Sequence, residues 1–272
     1  MKKITMSILG MLFLVCMVFS STAQNASLVK QKAVTRGKEG GNLKTMTWTT
    51  KSEAARKLAS EGTGYFMNIE FSQAYEKFAA ALKLDPDFTV ALVFMVNLTS
   101  GETKNDYRKK AMNSVANKTE GEKLFATLAD EKNSQAQNRE TWAKLHTMFP
   151  DGSMIGHFYA LTRETPEEKF TAAADYIKQF PDKAAMHNMM GYYYMLDKKD
   201  MESAKKSFEK YIALYPTGCN PYDSMAEFYL TNGDKENAKK YYTIALEKYP
   251  FNISSVNALE KMKEEKKTEK PE

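Results

Sequence analysis

Three histidines and two cysteines are the side chains of this 272-residue sequence best suited to metal binding, proton transfer or nucleophilic attack near neutral pH. His146, His157 and His187 stand 11 and 30 residues apart, so no two share a helical turn, and no third ligand completes a metal site. Cys16 lies in an apolar run near the start. Cys219 has neither histidine nor lysine beside it to lower its pKa, and reads as a small buried hydrophobe at the start of a helix. The acidic pairs Glu167-Glu168 and Glu264-Glu265 fall in a helix start and a charged tail, where they suit a helix terminus or solvent rather than acid and base catalysis. There is no phosphate-binding glycine loop, no dinucleotide fingerprint, no Gly-x-Ser-x-Gly elbow and no His-Glu-x-x-His string. The expectation is a chain with no catalytic residues, no metal and no cofactor, and not an enzyme.

The composition is that of a folded chain. With 43% hydrophobic and 12% aromatic residues it can bury a core, while two cysteines cannot make a disulfide scaffold. Lys2-Lys3, the apolar run from Ile8 to Phe19 and the small residues Ser21 and Ala23 form a secretory signal peptide over 1–23. Val15 before Cys16 speaks against lipidation there. Losing Lys2 and Lys3 lowers the formal charge from +5 to +3, with both signs interspersed, so no nucleic-acid or membrane footprint is expected. The protein should therefore be secreted across the inner membrane, to the periplasm or beyond, and not span a membrane.

The elements are punctuated by proline. Pro86, Pro150, Pro181, Pro216 and Pro250 each follow an apolar helical run, and the last four are 31, 35 and 34 residues apart. Proline cannot continue a helix, so each marks the same stop in a unit of about 34 residues. Other positions recur with it: Gly62, Tyr65, Ala74, Phe78 and Ala81 before Pro86; Gly191, Tyr194, Ala204, Phe208 and Tyr211 before Pro216; Ala226, Tyr229, Ala238, Tyr242 and Ala245 before Pro250. Small residues let two helices cross closely, and large ones fill the space between neighbouring pairs.

This pattern resembles the tetratricopeptide repeat, which implies an all-α, right-handed α-solenoid of helix-turn-helix units. Five to six repeats are expected over 51–264, clearest at 55–88, 184–218 and 219–252. The unit ending at Pro181 is degenerate, with Gly156 and Tyr159 on its first helix, Phe170, Ala174 and Ile177 on its second, and Thr165 and Pro166 starting that second helix. Two atypical helix pairs are expected between 89 and 150, a capping helix over 253–263 and a disordered charged tail over 265–272. Residues 24–50 read as a linker and an extended segment, anchored by Trp48 against the first helix pair, with Ser52 capping the first helix. The strings from Trp48 to Ala55, Lys83 to Phe88, Thr119 to Leu124 and Asn220 to Glu227 further resemble a group of secreted bacterial proteins built of these repeats.

In such a solenoid the first helices line a concave groove. The repeat positions that point into it here are His157, Thr162, Asn188, Tyr192, Asn220, Asp223, Glu227 and Thr231. The lysine and asparagine that clamp a C-terminal carboxylate in some repeat families are replaced by Asn188 and Tyr192, or by Asp223 and Glu227, which suits a basic or neutral extended segment. The expected function is a non-catalytic protein-protein interaction scaffold of the bacterial envelope, holding a partner protein or peptide in the groove. The alternative is a periplasmic small-molecule or glycan binding protein, for which Tyr192 and Tyr193 are the adjacent aromatic residues.

Overall fold

The computed structural model describes residues 43–268, and the signal peptide, Cys16 and the start of the linker lie outside the described residues. Those described form helices and turns with no strand. They run α1 (Glu53–Met67), α2 (Phe71–Leu84), α3 (Thr89–Leu98), α4 (Gly101–Asn113), α5 (Glu120–Ala126, continued by a 3-10 turn), α6 (Gln135–Met148), α7 (Ser153–Leu161), α8 (Pro166–Gln179), α9 (Ala185–Tyr192), α10 (Met201–Leu214), α11 (Asn220–Thr231), α12 (Lys235–Lys248) and α13 (Ile253–Thr268). Successive helices pack as pairs, α1 with α2 through α11 with α12, and α13 covers the end. This is an all-helical solenoid.

Local chemistry sets the boundaries. Ser52 caps α1 by accepting the Ala55 N–H, and Thr165 caps α8 in a reciprocal box with Glu168, with Pro166 at the first turn. The small residues sit where helices touch. A Cβ on Gly62 would meet the Phe78 ring at 3.1 Å, and one on Gly191 would meet the Phe208 ring at 2.5 Å. Before Pro216 the sequence carries one extra residue in the turn, and the chain absorbs it as a π-helical turn from Tyr193 to Lys198. In the degenerate unit the buried positions on α8 are Ala173 and Tyr176, one residue from the expected Ala174 and Ile177, because Tyr176 packs on Gly156. Helix α13 continues past the expected tail boundary to Thr268, through glutamates and lysines that favour helix.

The extended segment reaches further than expected. It touches the first pair where Arg56 of α1 donates to the Trp48 carbonyl, and it continues on to the third pair. The Thr49 N–H and hydroxyl donate to Glu122 of α5 at 2.7 and 2.8 Å, Lys44 and Asp151 exchange backbone and carboxylate hydrogen bonds, and Trp48 stands edge-on to Phe125 at 4.9 Å. Glu122 is fully buried, and its carboxylate, which accepts the Thr119 N–H and hydroxyl in the capping box of α5, gains two further donors from this segment.

The solenoid also curls back on itself. Three intra-pair turns place the residue two before the second helix in the left-handed region: Ile69 (φ 63°), Lys199 (φ 55°) and Gly233 (φ 80°). The residue after it should cap the second helix, as Asp200 and Asp234 do through Ser203 and Asn237. Glu70 makes no such cap. Its carboxylate accepts instead from Cys219 N–H at 2.6 Å, Asn220 N–H at 3.2 Å and the Tyr215 hydroxyl at 2.8 Å, at the junction of α10 and α11. Beside it, the Tyr211 hydroxyl donates to the Asn68 carbonyl at 3.3 Å. On the inner side of the same helix end, Phe66 packs on Phe94 of α3 and Phe158 of α7. The first pair thus reaches the fifth and sixth, and the space inside the first half is filled by its own aromatic side chains.

Candidate functional site

The eight polar residues placed on first helices fall into two groups. Three of the first four serve the chain itself, and the fourth faces solvent. His157 on α7 is 2% exposed, between Phe158 and Tyr176, and burial pushes its imidazole down to about 3, so it is neutral at physiological pH. The Thr162 hydroxyl bonds back to the Phe158 carbonyl at 2.7 Å and closes α7. Asn220 is buried at the start of α11, donating to the Tyr211 hydroxyl at 3.1 Å beside Glu70. Thr231 is exposed at the far end of α11.

Of the other four, Tyr192 and Glu227 meet. Asn188 and Tyr192 on α9 stand 35 residues before Asp223 and Glu227 on α11, so the same repeat position meets across the two helices. The Tyr192 hydroxyl donates to Glu227 Oε2, and the Ser255 hydroxyl of α13 donates to Asp223 Oδ1. Ser255 was not among the expected residues because α13 reads in sequence as a cap. It lies 32 residues beyond Asp223, near the equivalent repeat position but not on it. Glu70 was missed because nothing local to the first turn announces a contact 149 residues away.

The electrostatics are unusual. Asp223 is 5% exposed, and burial raises its pKa against the stabilising Ser255 and Ser254 hydroxyls. Glu227 is raised to about 7, first by burial and then by the Asp223 charge, with the Tyr192 hydrogen bond opposing. Burial first, then Glu227, holds the Tyr192 phenol well above its ordinary value. Among the described residues no ion pair involves Asp223, Glu227 or Glu70. The Asn188 side chain is 1% exposed, and its Oδ1 has no hydrogen-bond partner.

Cys219 is buried, as its sequence context indicates, and its thiol is pushed up to about 12 by burial and then by Glu70. Tyr193 is buried and stacked on Phe170, while Tyr192 is tied to Glu227. The two tyrosines therefore do not present the adjacent exposed faces that a sugar-binding surface uses.

Residues 184–217 and 221–250, covering α9 to α12, match the family model described as tetratricopeptide repeat. These two units are tetratricopeptide repeats. No curated protein matches it in sequence. Among solved structures it is similar to a thermophilic tetratricopeptide-repeat protein of Thermus thermophilus, at 18% identity over 75% of this chain and 96% of that one, with a TM-score of 0.44. It is also similar to PilW, a widely conserved type IV pilus biogenesis factor, at 13% identity over 76% and 99%, with a TM-score of 0.45. A third likeness is to PilF of Pseudomonas aeruginosa, at 14% identity over 77% and 98%, with a TM-score of 0.41. Tetratricopeptide repeats build protein-interaction scaffolds, each unit adding a first helix to a shared surface. Among the described residues no helix is long and apolar enough to cross a membrane.

Proposed function

We propose that this protein is a non-catalytic scaffold of the bacterial envelope that holds a segment of a partner protein along the first helices of its last units, α9, α11 and α13. The observation that carries the reading is the pair Tyr192 and Glu227, joined across α9 and α11 and partly exposed, on the face of the first helices that the repeat architecture makes concave. The first half contributes a rigid aromatic body in place of an open groove, so the binding surface is confined to the second half. A surface already ordered before binding spares the complex part of the ordering cost that a flexible receptor would meet. The leader-like start supports export across the inner membrane, with the periplasm as the working compartment.

The test is capture of partners from cross-linked envelope fractions by the purified chain, compared with the isosteric double variant Asp223→Asn/Glu227→Gln. A partner retained by the natural chain and lost by the variant supports the reading and locates the face. Equal capture by both, or none by either, counts against binding on these helices.

A further inference from the structure

Helix α4 is the most polar of the second helices, and Ala111 is the residue it buries. The others each bury a large side chain: Phe78 on α2, Trp142 on α6, Tyr176 on α8, Phe208 on α10 and Tyr242 on α12. A seam closed by one alanine does not reach the packing density of a protein interior. Between α2, α3 and α4 it keeps a cavity of about 290 Å³. Its lining is apolar or aromatic at Ala79, Leu82, Pro86, Leu92 and Tyr107, and cationic at Lys83 and Lys110.

We propose that this cavity binds a small anionic amphiphile, of which a carboxylate on a short alkyl chain is the simplest form. The chain lies against Leu82, Leu92 and Tyr107, and the head sits between Lys83 and Lys110. The site is on other helices than the partner surface proposed above, so the two readings stand or fall separately.

Charge selects the head. Lys83 ends α2 and Lys110 lies on α4, both are exposed, and among the described residues neither is in an ion pair. In the turn after α2, Asp85 accepts the Asp87 N–H. The Lys110 ammonium stands 5.8 Å from the centre of the Tyr107 ring, a contact that holds it beside the cavity. Burial, and then Tyr75, raises the Tyr107 phenol, so its hydroxyl stays protonated and able to donate. A cationic ligand would meet two like charges, and a neutral one would gain nothing from them. Ammonium groups on flexible stems act as point charges, which suits a single anionic head.

Volume and lining select the tail. The cavity is at the lower edge of the range for small-molecule sites, and most of its lining cannot hydrogen-bond. Each methylene moved from water into it should tighten binding about threefold to fourfold until the space is full.

The experiment is calorimetric titration of the purified chain with octanoate, butanoate, octan-1-ol and octylammonium. Octanoate is expected to bind at one site, at least about tenfold tighter than each of the other three. Ala79→Phe, which fills the cavity from a half-buried position, should abolish octanoate binding. Lys83→Gln/Lys110→Gln, at two exposed positions, should reduce octanoate to the affinity of octan-1-ol while leaving that of octan-1-ol unchanged. Circular dichroism shows that each variant is folded, and the lysine variant decides the matter if Ala79→Phe is not. No saturable binding of octanoate, equal binding of octanoate and octan-1-ol, or octanoate binding unchanged in the lysine variant would overturn the assignment.

Discussion

The carboxylate of Glu70 accepts the backbone N–H of Cys219 at 2.6 Å, across 149 residues of chain. It occupies the place where a capping side chain would serve its own helix α2, and caps α11 instead, in the last full helical pair. An acidic group on a helix N-terminus satisfies orphan N–H groups and meets the positive end of the helix dipole. A repeat array whose units touch only their neighbours has no such contact, and with the Tyr215 and Tyr211 hydroxyls beside it this bond joins the first helical pair to the fifth and sixth.

Removing that cap should be costly. Glu70→Ala leaves the Cys219 and Asn220 N–H groups and the Tyr215 hydroxyl without an acceptor, and is expected to destabilise the protein by about 2–4 kcal/mol, with Glu70→Gln losing less. Urea denaturation measures both, and a loss under about 0.5 kcal/mol for Glu70→Ala would show that the clasp contributes nothing.

Ile69 occupies the left-handed region at φ 63°, where the equivalent position of the last repeat holds Gly233. A β-branched residue there carries about 1–2 kcal/mol of strain. Its side chain is 42% exposed, so little burial is lost on replacement. Ile69→Asn, which tolerates this conformation, is therefore expected to raise the stability by about 1 kcal/mol. A lower melting temperature for the variant would contradict the strain.

Two glycines should respond to alanine with opposite signs. At Gly191 the new Cβ would fall 2.5 Å from the fully buried Phe208 ring, and Gly191→Ala is expected to cost about 1–3 kcal/mol. At Gly64, inside α1, nothing lies within 4 Å, and Gly64→Ala should gain up to about 1 kcal/mol from helix propensity alone. Paired thermal melts decide it, and a shared sign would count against the packing at Gly191.

The Glu227 carboxyl is raised to about 7 in the folded chain, so the folded state holds its proton more tightly than the unfolded one. Its stabilising contribution is complete below the unfolded value near 4.5 and is lost as pH climbs through 7. Free of ligand, the protein should lose on the order of 2–3 kcal/mol between about pH 4.5 and 8 through this group, and Glu227→Gln should flatten that slope and be the more stable form at pH 8. Denaturant midpoints at pH 5, 6, 7 and 8 test it, and parallel profiles for the two proteins would refute it.

Much of this molecule is written locally. The prolines at 181, 216 and 250, the small residues Gly62, Gly191 and Ala226, and the caps Ser52 and Thr165 act over one helical pair, so their spacing alone determined helix ends, pair crossings and the repeat family. The meeting of Tyr192 with Glu227 was legible for the same reason, since a 35-residue step carries one repeat position onto its neighbour. Burial and curvature were not. Whether Asn188 and Asp223 face solvent or protein depends on how tightly successive pairs wind, a sum of small rotations that no single unit encodes. Glu70 on Cys219, Thr49 on Glu122 and Phe66 on Phe158 join parts of the chain that share no period, and only the closed tertiary structure decided them.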